Sequence, residues 1–496
     1  MAKAASIYWT AEAVEGRVWQ ARSLDAAGSQ ERPWGETGMV AEIVPPRASS
    51  QPDNASQLHS VTRRAALLGA AGIGSLALAG RAAQAQPAKP AEIKVGIATY
   101  LSGPASVFGV PGRQAAEMLF DELNEAGGIG GVKLRPIFVD EGPGVDHFVG
   151  EYRRLVQSEN VNLIFAGISS ADCLACAPLS DEMKRPTLLW DCGTQRVFED
   201  GKYEYAFRPQ ANATPEVLSA LLYLLRAKPD FRSIAVVNQD YAWGRDSWDI
   251  FRTGLQTLKP GVRVAAELFP RFGATDFSTE ITRLLALRPD VVLSTTWGGD
   301  LDAFIRQSND RRLFERSTFV LPLAESSLER VGKSLPAGHI IGARGDHWFL
   351  HPNPADPALL ARFTENYRKR FNAYPIYSTH HMAQAVFAMK AAYEKALAAK
   401  GGGWPTDAEL AAAFRGLEFP SLTGRIRIRE DGQGLEDQLI GTTVNTDKYP
   451  FPVMTDMVVF PADTVTAPVG QKSLDWLKTL KPEMVQAMPQ PVAFKP

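Results

Sequence analysis

A chain of 496 residues, 45% hydrophobic and 22% charged, has material for two or more buried domains and lacks the bias of a disordered or fibrous protein. Its formal net charge of -2 supplies no basic field for nucleic acid or an anionic membrane surface, so neither is expected as a partner. Three cysteines exclude a disulfide-built scaffold and leave room for one bridge.

Residues 1–59 are rich in Ala, Ser, Pro and Gly without a period, and disorder is expected there. Met39 offers an alternative start, which would leave the first 38 residues unmade. From 60 to 85 the chain runs through Arg63-Arg64, a short Ala/Gly/Leu core and the small-x-small site Ala83-Gln84-Ala85. That order predicts an export signal, and the arginine pair resembles the twin-arginine type. The apolar core is too short and too interrupted by glycine for a comfortable membrane span. The mature chain is then expected to begin near Gln86, in an oxidising compartment.

Beyond the signal, EIKVGIATYL (92–101) has the pattern of a buried strand. Gln114–Glu125 sets Ala115, Met118, Leu119 and Leu123 on one helical face, stopped by AGGIGG. KLRPIFVDEG, NLIFAGISS and RPTLLWDCGT read as further strands, separated by the helices FVGEYRRLVQSENVN and DCLACAPLSDEM. After YEYAFRPQANATPEV the alternation restarts, with strands in SIAVVNQDYAWG, VRVAAELFP, PDVVLSTTWGG and STFVLPL. Strand–helix alternation at this spacing predicts parallel sheets covered on both faces, and its restart predicts two lobes. GHIIGARGDHWF (338–349) reads as a crossover back to the first lobe, followed by two long helices. TGRIRIREDGQG reads as a hairpin turning at Asp-Gly, and the Pro-rich last thirty-odd residues as a tail on the surface.

No P-loop, dinucleotide fingerprint or GxSxG elbow is present. As metal ligands, Cys173, Cys176 and Cys192 would need a fourth partner, and His380-His381 is the available cluster; neither a metal nor a cofactor is expected. A disulfide from Cys192 to Cys173 or Cys176, or buried free thiols, remain open. A nucleophile–base pair would have to come from Cys192 and the histidines, which lie far apart in sequence, so no catalytic residue is assigned and no enzyme is expected.

The export signal, IKVGIATYLSGPASVFGVPGRQAAEMLFDELNEAGGIGG, GISSADCLACAPLSDEMKRP, YAFRPQAN and VVNQDYAWG, in that order, resemble the branched-chain amino-acid (Leu/Ile/Val-binding) class of periplasmic solute-binding proteins. The likeness covers about residues 92–445. It implies an α/β type I fold, two doubly wound parallel-sheet lobes joined by a three-crossover hinge and closing like a clamp. Lobe 1 would take 92–208 and 341–422, lobe 2 would take 209–340 and 423–445, and 446–496 would be a C-terminal extension. It also implies a periplasmic monomer that captures a small amino acid, or a related carboxylate or amide, for the permease subunits of an ABC importer. The same clamp feeding a periplasmic receptor is the rival role.

Position by position, the resemblance puts Ser102 and Phe108 at the mouth of lobe 1, and Ser169, Ser170 and Thr194 around the solute carboxylate. Across the cleft it puts Tyr241, Trp297 and Glu325 against the side chain and the ammonium. Helix starts can hold a carboxylate without an arginine, since they are already partly positive. Trp243 would add to the apolar wall. Asp191 and Asp300 depart from the family pattern and suit a cation, an amide or a polar solute.

Overall fold

The computed structural model describes residues 87–494. The stretch expected to be disordered and the expected export signal lie outside the described residues. In lobe 1, β1 (Glu92–Thr99), β2 (Lys133–Asp140), β3 (Leu163–Ala166), β4 (Thr187–Leu189) and β5 (Ala206–Phe207) form one parallel sheet in the order β2-β1-β3-β4-β5. They are linked by α1 (Ser106–Glu125), α2 (Val145–Gln157), α3 (Ser170–Glu182) and α4 (Arg196–Asp200). Helix α1 begins well before the expected Gln114. Its glycines serve close approach rather than a turn: a Cβ on Gly109 would fall 2.1 Å from the Tyr100 carbonyl oxygen.

Lobe 2 opens with α5 (Ala213–Ala227), then β6 (Ser233–Val237), α6 (Ala242–Leu258), β7 (Arg263–Leu268), α7 (Ser278–Leu287), β8 (Val291–Leu293), α8 (Gly298–Asp310), β9 (Thr318–Leu321), α9 (Leu328–Val331) and β10 (Ile340–Gly342). The chain then returns to lobe 1 through α10 (Pro357–Phe371), α11 (Tyr377–Ala399), which packs along α1, and α12 (Asp407–Phe414). β11 (Glu418–Pro420), β12 (Arg425–Ile428) and β13 (Gly434–Leu435) make a small antiparallel sheet. Two more strands, β14 (Gln438–Val444) and β15 (Val453–Phe460), complete the seven-stranded sheet β15-β14-β10-β9-β8-β6-β7.

Two expected boundaries are corrected. The hairpin at 423–434 stays in the small sheet, its alternating RIRI exposing one face, and lobe 2 regains the chain only at Gln438. The C-terminal extension expected at 446–496 starts later, because VMTDMVVF has the β-branched and apolar content to pair with the free edge of β14 and joins lobe 2. Only after it do the short helices α13 (Ala462–Val465), α14 (Ser473–Leu477) and α15 (Glu483–Gln486) pack outside, the last two against α6 and α5. The chain thus passes between the lobes at 208–212, 343–356 and 436–437. A disulfide joins Cys173 to Cys192 and ties the first turn of α3 to the loop after β4, while Cys176 is a buried free thiol.

Candidate functional site

In both sheets the parallel order reverses beside the first strand laid down, between β1 and β3 and between β6 and β8. Crevices form outside the carboxyl ends of strands at such points. Here the strand-end loops of both lobes line one cavity: Ile168 and Ser170 after β3, Gly193 after β4, Tyr241 and Trp243 after β6, Trp297 after β8, Leu323 after β9, and Arg344 after β10. It has room for about one water molecule. The lobes are closed on each other: Gly299 N–H donates to the Pro104 carbonyl at 3.2 Å, Thr194 Oγ1 donates to Asp246 Oδ2 at 2.6 Å, and Phe108 meets Trp297 edge-on at 5.5 Å.

Lobe 1 presents hydrogen-bond donors. Ser169 caps α3, its hydroxyl accepting from Asp172 N–H at 3.1 Å, which leaves the N–H groups of Ser170 and Ala171 without partners among the described residues. The Gly193 N–H is likewise unpartnered. A Cβ on Gly193 would lie 2.2 Å from the Trp243 ring and 2.8 Å from Arg344 Nη2, so only glycine admits both neighbours.

Arg344 completes the set. It is buried in the second crossover with φ +47°, a conformation that non-glycine residues adopt at a cost. Nη1 donates to Asp191 Oδ2 at 2.8 Å and Nε to Glu216 Oε2 at 3.3 Å. Nothing described accepts from Nη2, which lies nearest the cavity wall at Gly193. Burial opposes the guanidinium charge, but Asp191 and Glu216 outweigh it and raise the pKa of Arg344. Burial wins at Glu216, which is pushed up to about 8 despite its partner. The guanidinium also lies 5.0 Å from the Trp243 ring, and Trp297 Nε1–H donates to the Tyr241 hydroxyl at 2.7 Å, fixing the aromatic wall.

Residues 92–448 match the periplasmic binding protein family. The chain belongs to that family. Its fold is the type I form, as in a Rhodopseudomonas palustris ABC-transporter solute-binding protein in complex with 3,4-dihydroxybenzoic acid (TM-score 0.66, 20% identity, covering 77% of this chain and all of that one). A leucine-binding protein from Thermotoga maritima gives a TM-score of 0.61 at 17% identity, covering 75% of this chain and 99% of that one. Among sequences, Leu/Ile/Val-binding protein homolog 7 of Brucella melitensis is 28% identical over 316 residues, 61% of this chain and 76% of that protein. Homolog 8 of Brucella abortus is 25% identical over 349 residues, 66% and 81% of the two chains.

In this periplasmic binding protein, the residues expected at the solute divide into two groups. Ser170, Tyr241, Trp243 and Trp297 line the cavity, and Ser169 and Phe108 stand directly behind them, Phe108 packing on Trp297 and Tyr377. The others are placed elsewhere. Ser102 is exposed, outside the cavity. Thr194 is turned to Asp246, its own carbonyl accepting from Arg208 Nη2 at 2.8 Å. Asp300 accepts from Gln239 Nε2 at 2.9 Å and Gly273 N–H at 2.7 Å within its own lobe. Asp191 is occupied by Arg344 and by His381 Nδ1. Glu325 is buried off the cavity, its Oε2 accepting from Tyr377 N–H at 2.9 Å, and burial pushes it up to about 8. Glu325 thus does not border the cavity and is engaged by the Tyr377 N–H, a placement that differs from the one expected of an ammonium partner. Cys192 is sealed in the disulfide and offers no nucleophilic thiol.

Arg344 was missed in the sequence, where GARGD read only as a crossover. A second missed feature is Glu436 in the third crossover. Its Oε2 accepts from Ala211 N–H of the first crossover at 2.9 Å, and its Oε1 faces His347 Nε2 of the second at 2.6 Å. One buried carboxylate therefore touches all three strands of the hinge. Burial works to raise its pKa, but His347 and His381 outweigh it and bring it down to about 2.

Proposed function

We propose that this periplasmic binding protein is the solute-binding component of an ABC importer, a periplasmic monomer that captures a small organic carboxylate lacking an α-ammonium and presents it to permease subunits. The reading is carried by one observation: Ser170 N–H, Gly193 N–H and Arg344 Nη2 border the same cavity as donors without acceptors, against the rings of Tyr241, Trp243 and Trp297. A carboxylate supplies the missing acceptors, and its apolar body suits the aromatic wall. The acidic groups that would hold an ammonium are engaged: Asp191 by Arg344, Asp300 by Gln239, and Glu325 by the Tyr377 N–H. The names of the relatives and neighbours, leucine-binding and in complex with a dihydroxybenzoic acid, have the carboxylate in common.

The cavity of the closed form is too small for such a solute, so capture starts from an opened cleft. Closure is then stabilised by contacts the solute makes to both lobes at once.

The test is calorimetry on protein unfolded and refolded to strip any carried solute, titrated with matched pairs: benzoate against phenylalanine, and 4-methylpentanoate against leucine. The acids without the amine are expected to bind at least tenfold more tightly. A preference for the amino acids would overturn the assignment of Glu325 and restore an amino-acid solute.

A further inference from the structure

Solute binding does not account for the cluster of buried polar groups at the hinge. His347 from the second crossover, His381 from α11 and Glu436 from the third crossover bring one ligand atom each within 4.8 Å of one another, all three side chains being buried. Imidazole nitrogen and carboxylate oxygen are ordinary ligands of Zn²⁺ and its first-row neighbours.

His381 and Glu436 are held as ligands would be, while His347 Nδ1 is buried without a partner among the described residues. Metal-bound histidines usually hold their second nitrogen against a carboxylate or a carbonyl. His381 Nδ1 is held by Asp191 Oδ1, and Asp191 is in turn fixed by Arg344. That leaves His381 Nε2 as the inward atom, now 2.9 Å from the Arg344 carbonyl oxygen. Glu436 is anchored through Oε2 by Ala211 N–H, which leaves Oε1 inward.

The fourth member is Gln384, on α11 one turn beyond His381. Its Nε2 lies 2.6 Å from Glu436 Oε1 and 3.3 Å from His347 Nε2, and its buried Oε1 has no partner among the described residues. Glu436 Oε1 is thus shared by two donors that crowd each other, while an amide oxygen beside them goes unsatisfied. Turning the amide over would let its oxygen accept from His347 but set it against Glu436 Oε1, a repulsion that a cation between the two oxygens relieves.

We propose that His347, His381 and Glu436, with the Gln384 amide oxygen as fourth ligand, form a binding site for one divalent transition-metal cation of the zinc class. Adjacent ligands of a tetrahedral Zn²⁺ stand roughly 3.3 Å apart. The His347–Glu436 edge, now 2.6 Å, opens by about 0.7 Å and the longer edges shorten. The cation takes the place of the protons on His347 Nε2 and His381 Nε2. Each imidazole keeps one proton, on Nδ1, and a proton leaves to solvent only from an imidazole that carried two. Because the ligands come from two crossovers and from α11, the bound cation cross-links the hinge. Through Asp191 it shares a neighbour with the arginine that borders the solute cavity.

The full chain, expressed without a polyhistidine tag and stripped with a chelator, would be titrated with Co²⁺ as a visible probe and with Zn²⁺ in competition. Expected are one equivalent of metal per chain after gel filtration and ligand-field bands of a four-coordinate Co²⁺ complex that Zn²⁺ abolishes. His347→Gln and Glu436→Gln should each lose the bands, Asp191→Asn should weaken binding 10–100-fold, and His380→Gln, beside the site but outside it, should leave the bands in place. If the wild-type chain takes up less than stoichiometric metal, or shows no four-coordinate spectrum, the proposal fails whatever the variants do. Retention of the spectrum in folded His347→Gln or Glu436→Gln protein would overturn it equally.

Discussion

Arg344 and Asp191 meet at 2.8 Å between Nη1 and Oδ2, both side chains buried, so that the second crossover is held by an ion pair to the loop after β4. The same aspartate orients His381 and the same arginine leaves Nη2 toward the cavity. On the proposed reading, solute recognition and hinge geometry share one pair of charges.

Arg344→Met leaves Asp191 buried without its counter-charge and is expected to cost about 3–5 kcal/mol in chemical denaturation. Arg344→Lys keeps the charge but not the fork that serves Asp191, Glu216 and the cavity together. It should remain folded and bind benzoate-type acids at least tenfold more weakly by calorimetry. Unchanged affinity in folded Arg344→Lys would remove Arg344 from the recognition set.

Trp297→Phe preserves a ring against Phe108 but removes the Nε1–H donated to the Tyr241 hydroxyl. A stability loss of about 1 kcal/mol is expected from the broken hydrogen bond. Trp297→Ala should lose about 3–5 kcal/mol and most solute affinity, since it opens the wall as well. If Trp297→Ala binds solute like the wild type, the wall lies elsewhere.

Glu325, pushed up to about 8, keeps its proton in the folded chain across a range where the unfolded chain has released it. Its contribution is present in full below the ordinary glutamate range near 4.5 and is lost as pH rises toward 8. The slope is up to about 1.4 kcal/mol per pH unit. The charged group opposing this is Arg330, and the Tyr377 phenol beside it stays neutral. Denaturation midpoints measured from pH 5 to 8 should fall less steeply in Glu325→Gln than in the wild type. Glu216, raised in the same direction, keeps part of the slope in both. Parallel slopes would show that Glu325 ionises normally in the fold.

The Cys173–Cys192 bridge closes a loop with a sequence separation of 19 residues. The paired substitution to serine should cost about 3 kcal/mol, chiefly by freeing the unfolded chain. It should also loosen the first turn of α3, with faster hydrogen exchange at Asp172 and at residue 173, whose N–H groups are held by the Ser169 hydroxyl and carbonyl. Equal stability with and without a reductant would mean that the bridge does not form in the purified protein.

Much of the frame was open to inspection in the chain itself. The apolar runs at 92–101, 233–244 and 289–299 each end in small or polar residues, and their alternation with amphipathic helices determines two parallel-sheet lobes with loops at the strand ends. Ser169, Ser170, Tyr241 and Trp297 were placed by the resemblance, whose motifs fall at the ends of strands. The glycines of 103–112 misled, since a glycine needed for close helix–strand contact looks in sequence like one needed for a turn. Periodicity reports on neighbours a few residues away and nothing further. Arg344 draws its meaning from Asp191 and Glu216, and Glu436 from Ala211, His347 and Gln384, partners set tens to hundreds of residues apart. These pairings exist only because three crossovers pass through one small buried volume, where charges without partners would be too costly to keep. What the residues could become was written locally, and which of them met was decided by the topology.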